Sequence, residues 1–100
     1  MRYYGIFRRP LTKEEREASL ISGNVVDQGG HPLRGARVVL INPKNRALIS
    51  STTTDHSGFY SFMVNVEEGE YEVKVSYHTV PRVQKVRALK GQLSQLDFKI

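Results

Sequence analysis

The sequence contains no cysteine, and it has no long apolar run. Without cysteine the chain cannot form disulfides, zinc–thiolate sites or a thiol nucleophile, although this absence gives no information about the redox state of its compartment. No segment approaches the roughly 20 apolar residues that span a bilayer, and the apolar stretch before Arg8 is too short for a signal peptide. We therefore expect no membrane span, and the sequence alone indicates a cytoplasmic, unexported chain.

The chain is also too short for several classes of protein. One hundred residues, of which 39% are hydrophobic and 25% charged, are typical of one soluble globular domain. A domain of this size hides only about 60 to 65% of the surface that its unfolded chain exposes, so its core is modest. This excludes a multidomain enzyme and a large substrate cleft. Fifteen Lys and Arg against ten Asp and Glu leave a net charge of +5.

The composition changes near residue 19, which divides an N-terminal arm, residues 1–19, from the rest of the chain. Thr12 and Glu15 have the spacing of a capping box, in which a hydroxyl and a carboxylate satisfy backbone N–H groups reciprocally, and this predicts a short helix over 12–18. Such a helix has almost no apolar face. We interpret the basic arm as mobile, or as docked through its apolar and aromatic residues, which are Tyr3, Tyr4, Ile6 and Phe7.

From Leu20 onward apolar residues recur at every second position between turn residues, which is typical of short strands. In the clearest strand, Tyr71, Val73 and Val75 share the inward face. Residues 79–88 are less regular and include Pro81, which cannot donate to a ladder, so they predict an edge strand or a bulged one. Seven such strands and no long helix predict an all-β, seven-stranded antiparallel two-sheet sandwich.

Four separated segments carry a recognisable pattern, in residues 21–27, 30–40, 54–62 and 69–75. Together they resemble the carboxypeptidase regulatory-like domains, and the resemblance covers residues 20–100. It implies a transthyretin-like, Ig-like sandwich that serves as a non-catalytic accessory module. Such modules are commonly attached to secreted peptidases, adhesins and outer-membrane transporters, which implies an extracytoplasmic location instead.

The hydroxyisourate hydrolases are enzymes with a similar strand pattern. They carry a histidine where this chain has Asn24, and they end in Tyr-Arg-Gly-Ser where this chain has residues 97–100. Both signatures are absent, and no Ser-His-Asp order fits the fold. We therefore expect no catalytic residue and no cofactor.

Strand parity brings the three histidines together. If each strand crosses the sandwich once, the loops that hold His31, His56 and His78 lie at one end, with Asp27 and Asp55. Imidazole and carboxylate groups can bind zinc or nickel, so a metal site, a small-ligand site or a weak hydrolase site at this end is an alternative function. The competing interpretation is that these residues only stabilise their turns, because no two histidines have the close spacing of a metal-binding pair.

Residues of the arm suggest two further ligands, nucleic acid and carbohydrate. The basic residues of the arm could neutralise phosphates, but the acidic residues at positions 14, 15 and 17 argue against nucleic acid. Carbohydrate binding would depend on Tyr3 and Tyr4, since the other tyrosines fall on the predicted core face. The basic residues concerned are Arg2, Arg8, Arg9, Lys13 and Arg16.

Another protein, or a neighbouring domain of a longer chain, is the partner that the sequence favours. The predicted edge strand holds Pro81, Arg82, Lys85 and Arg87, residues that keep an exposed edge from pairing indiscriminately. A partner would use that edge, the histidine-bearing loops or the arm. Arg82 and Lys85, with the four arm residues named above, are the predicted contacts.

Overall fold

The computed structural model describes the backbone of residues 3, 4 and 9 and the whole of residues 10–100. Ten strands and one short helix form in these residues. In chain order they are β1 (Tyr3–Tyr4), β2 (Arg9–Pro10), α1 (Lys13–Glu17), β3 (Ser19–Val26), β4 (Arg37–Ile41), β5 (Leu48–Thr53), β6 (Phe59–Val64), β7 (Gly69–Tyr77), β8 (Val80–Ala88), β9 (Leu93–Gln95) and β10 (Phe98–Lys99).

The eight strands from β3 to β10 form two sheets packed face to face. Sheet I has β3 at its centre, with β6 on one side and β9 and β10 on the other. Sheet II has the order β5-β4-β7-β8, and all its pairs are antiparallel. The predicted all-β two-sheet sandwich is confirmed.

Two details of sheet I differ from the prediction. The sequence predicts one last strand through Leu96, Phe98 and Ile100, whereas the chain forms two short strands, β9 and β10, so the sandwich has eight strands instead of seven. Both pieces run parallel to β3. The reason is the direction of the chain: β3 and β8 are opposite in direction, and the turn after β8 reverses the chain once more as it crosses to sheet I. Hydrogen bonds from Gly91 N–H to Ala18 C=O and from Leu20 N–H to Gln92 C=O fix that turn beside the start of β3.

The alternating pattern places one face of each long strand in the core. In β7, Val73 and Val75 are fully buried and Tyr71 nearly so, as the sequence predicts. The same period buries the facing residues of the neighbouring strands, because successive side chains of a strand point to opposite faces. These residues are Ile21, Val25, Ala36, Val38, Leu40, Tyr60, Phe62, Val86, Ala88 and Phe98.

The arm forms a short helix and a two-residue ladder. Thr12 Oγ1 accepts the N–H of Glu15 at 3.2 Å, and Glu15 Oε1 accepts the N–H of Thr12 at 3.0 Å, so the capping box begins α1. The sequence predicts this helix over 12–18, and α1 spans Lys13–Glu17 with no buried residue. Before it, β1 pairs with β2.

β8 is the outer strand of sheet II, and its first six residues are exposed. The predicted edge strand therefore forms, and its ladder with β7 runs without a bulge from Gly69↔Ala88 to Tyr77↔Val80. Sheet II has its register shift elsewhere, between Leu40 and Ile41.

Candidate functional site

The strand register places the three histidine-bearing loops at one end of the sandwich. Arg37, the first residue of β4, pairs with Thr53 in β5 and with Ser76 in β7. The loops at 27–36, 54–58 and 78–79 therefore lie at the same end, which we call the histidine end. A hydrogen bond from Gly35 N–H to Thr54 C=O, at 3.0 Å, joins the first two loops.

Asp27 serves its own loop. Its Oδ1 atom accepts the backbone N–H groups of Gly29 and His31, each at 2.9 Å, and lies 3.2 Å from His31 Nδ1. The N–H of His31 is the main cause that lowers the pKa of Asp27, because bonds to the ionised carboxylate stabilise it. Asp27 thus holds a tight turn in which His31 is exposed.

Asp55 has the same role in the second loop. Its Oδ1 accepts the hydroxyl of Ser57 at 2.7 Å and the N–H groups of Ser57 and Phe59 at 2.9 and 3.0 Å. The Ser57 hydroxyl is the main cause that lowers the pKa of Asp55. His56 is exposed beside it and lines an open cleft of about 500 Å³ with Arg34.

The histidines share an end of the molecule but not a site. His78 packs against the ring of Tyr77, with ring centroids 4.3 Å apart. Within residues 10–100, no three His, Asp or Glu side chains are grouped closely enough to hold a metal ion. His31 contacts Asp27 and His56 lies beside Asp55, but the two aspartates form no shared site because each is directed into the backbone of its own turn.

The open edge of β8 presents backbone groups to solvent. The C=O of Arg87 accepts the hydroxyl of Ser94 in β9, so it points away from β7. Because the direction of backbone groups alternates along a paired strand, the N–H and C=O groups of Val83 and Lys85 point the same way. They form no hydrogen bond with any other residue in the described part of the chain. Pro81 also occupies one of these outward positions, where its missing N–H costs no ladder bond.

The side chains along this edge are cationic. Arg82 donates to the C=O of Pro81 at 2.9 Å, and Lys85 Nζ lies 3.4 Å from Glu70 Oε1 across the strand pair. Val83, between them, is 53% exposed. The two predicted contact residues Arg82 and Lys85 thus flank the free backbone groups on one accessible strand.

Of the four arm residues predicted as contacts, the structure describes the backbone of Tyr3 and Tyr4. Tyr3 and Tyr4 form β1, whose backbone pairs with Pro10 and Arg9. Ile6 and Phe7 lie outside the described residues, as do Arg2 and Arg8.

The sequence reasoning missed a second exposed region, on the outer face of sheet I. Phe59, Met63 and Leu93 are 41%, 48% and 61% exposed there, and they line a groove beside Leu20. The strands β3, β6 and β9 contain no charged residue. The signal was present in the outward positions of β6, which hold Phe, Ser and Met where a solvated face usually carries charges.

No helix among the described residues is long and apolar enough to cross a bilayer.

Comparison with known proteins agrees with this geometry. The model of the carboxypeptidase regulatory-like domain family matches residues 20–100. No curated protein sequence matches the chain. Among solved structures, the chain is similar to the TIE protein of Bacillus anthracis, with 22% identity and a TM-score of 0.66 over 83% of this chain and 16% of that one.

Two other solved structures are similar at comparable distance. The 5-hydroxyisourate hydrolase of Klebsiella pneumoniae has 18% identity and a TM-score of 0.65, over 82% of this chain and 89% of the enzyme. The pilus 2b backbone protein of group B streptococcus has 18% identity and a TM-score of 0.60, over 81% of this chain and 40% of that one. At these identities the likeness shows a shared fold. The chain spans 16% of the TIE protein and 40% of the pilus protein.

Proposed function

The chain belongs to the carboxypeptidase regulatory-like domain family, and on that premise we propose that it is a non-catalytic β-sandwich module that binds other proteins. Its binding site is the open edge of β8. The occupant is an acidic extended segment of another protein or of a neighbouring domain, added as a further strand of sheet II. The TIE and pilus proteins, in which this fold occupies a fraction of a longer chain, support a modular role.

The observation that carries the proposal is that free backbone groups and cationic side chains occur together on one strand, β8. An added strand would gain ladder hydrogen bonds at Val83 and Lys85, and main-chain bonds of this kind supply affinity in strand addition. Arg82, Lys85 and Arg87 give β8 three positive charges and no negative one. A basic segment would bring like charges beside these residues, whereas carboxylates spaced along an extended chain can pair with them.

The chemistry of the polar groups supports a role without catalysis. Asp27 and Asp55, the carboxylates beside His31 and His56, already accept backbone N–H groups, and their lowered pKa values make them poor proton acceptors. Burial, with the nearby carboxylate of Asp97, raises the pKa of Tyr60 far above its usual range, so its hydroxyl stays protonated. That hydroxyl donates to the C=O of Leu96 and has a structural role.

A peptide titration followed by amide NMR tests this function. The probe is a synthetic peptide of alternating glutamate and valine, and its counterpart has lysine in place of glutamate. We expect the acidic peptide to shift the amide resonances of Val83 and Lys85, and the lysine peptide to shift neither. Equal effects of both peptides, or shifts confined to other strands, would contradict the proposal.

Two matched variants separate the edge from general electrostatic attraction. Lys85→Gln removes a charge on β8, and Lys44→Gln removes one from the exposed turn at 42–45. Lys85→Gln loses a close charge pair at the edge, so its affinity for the acidic peptide should fall by about 3- to 10-fold. Lys44→Gln should bind the peptide almost as tightly as the unchanged chain does. Equal weakening in both would show attraction to the net charge alone.

A further inference from the structure

The second open edge of the sandwich, along β6, has free backbone groups of its own. Phe59 directs its N–H to Asp55 Oδ1 and its C=O to the N–H of Asp55, each at 3.0 Å, so its groups point away from β3. Alternation then turns the N–H and C=O of Ser61 and Met63 toward the same open side. Within the described ranges, these four groups have no hydrogen-bond partner.

From this edge we propose that two copies of the chain associate through β6, as antiparallel strands related by a two-fold axis at Phe62. In this register Ser61 of one copy lies opposite Met63 of the other, and both pairs exchange their N–H···O=C bonds. All four free groups of each copy are then satisfied. A two-fold interface uses the same patch on both partners, so the patch must be complementary to itself, and this edge is.

The side chains of β6 favour the same register. Phe59 and Met63 are among the exposed apolar side chains of sheet I. With Met63 opposite Ser61 of the second copy, its diagonal neighbours there are Met63 and Phe59, which long side chains can reach. The contact covers apolar surface and brings thioether sulfur near an aromatic ring, which is a favourable pairing. β6 carries no charge, so two copies of a chain with net charge +5 meet here without like charges opposite each other.

The other open edges fit a second copy less well. β8 has the same backbone geometry at Val83 and Lys85, but self-pairing would place Lys85 diagonal to Lys85 of the other copy. Just after β5, Thr54 donates its N–H to the C=O of Ala36, the residue before β4, so the outward groups of β5 belong to Ser51 and Thr53. Those side chains are uncharged but offer little apolar surface. The choice of β6 therefore depends on Phe59 and Met63.

Sedimentation velocity from about 10 µM to about 1 mM tests the proposal, since a dissociation constant in that range shows as a concentration-dependent shift from monomer to dimer. Ser61→Lys places like charges at the β6 interface, and Ser51→Lys makes the same substitution on the exposed face of β5. We expect Ser61→Lys to remain monomeric throughout and Ser51→Lys to dimerise like the unchanged chain. Met63→Lys, at a second exposed position of β6, should reproduce Ser61→Lys, with folding checked by circular dichroism.

Several outcomes would overturn the proposal. One is a chain that stays monomeric up to about 1 mM. Others are dimers that survive Ser61→Lys and Met63→Lys, or that are lost equally in Ser51→Lys. The result is independent of peptide binding at β8, because Lys85→Gln leaves β6 unchanged and should dimerise normally.

Discussion

The Cα of Gly23 lies against the carbonyl group of Leu96, so close that a Cβ at position 23 would stand 1.8 Å from the Leu96 oxygen. The contact lies where the chain passes from β9 to β10 alongside β3. The N–H of Leu96 donates to Ser22 C=O at 2.8 Å, and its C=O accepts the hydroxyl of Tyr60. Because Gly23 has no side chain beyond a hydrogen atom, β9 and β10 can both lie beside β3 in sheet I.

Gly23→Ala should destabilise the protein by about 1 to 3 kcal/mol, because the added methyl group meets backbone instead of a flexible side chain. The measurement is the free energy of unfolding from urea denaturation. Ser22→Ala, one residue earlier on the outer face of the strand, is the control and should change it by less than about 0.5 kcal/mol. A stable Gly23→Ala chain would mean that β9 and β10 do not lie against β3 as described.

The hydroxyl of Thr54 joins two parts of the histidine end. It accepts the N–H of Ala36 at 2.9 Å and donates to the C=O of Leu33 at 2.6 Å, and Thr54 is only 4% exposed. Thr54→Val keeps the shape but leaves buried groups without partners, at a cost of about 1 to 3 kcal/mol for each. Thr54→Ser keeps the hydroxyl and should unfold at a higher urea concentration than Thr54→Val. The reverse order would contradict this assignment.

The lowered pKa values of Asp27 and Asp55 make stability depend on pH in the acid range. Between the ordinary value of 3.8 and the lower native values, the unfolded chain binds more protons than the folded chain. Stability from these carboxylates is therefore complete above the ordinary value and is lost as the pH falls through the native values. The double variant Asp27→Asn with Asp55→Asn should show a smaller fall in unfolding free energy between about pH 5 and about pH 2 than the unchanged chain. Equal falls would show that the two turns do not carry the acid sensitivity.

Much of the sandwich could be predicted because, within each strand, apolar and polar residues alternate along the sequence. Tyr71, Val73 and Val75 follow a period of two that only a half-buried strand explains, and turn residues mark the ends of most strands. The break between β9 and β10 could not be predicted in this way. It depends on the approach of Gly23 to Leu96, a contact between residues far apart in the chain.

The candidate site was predictable in part for a similar reason. Pro81, Arg82 and Lys85 indicate an edge from their residue types alone. Which backbone groups remain free depends on the ladder register, and the sequence does not encode that register locally. The histidines share one end by strand parity, yet the aspartates beside them are directed into their own turns.

Amide hydrogen exchange along β8 tests the central claim most directly, because it reports whether backbone groups at this edge are open and then covered. In the free chain the amides of Val83 and Lys85 should exchange quickly, while those of Gln84 and Val86, bonded to β7, should be protected. With the acidic peptide bound, Val83 and Lys85 should become protected as well. Uniform protection in the free chain, or no gain of protection at these two amides on peptide binding, would contradict binding by strand addition at β8.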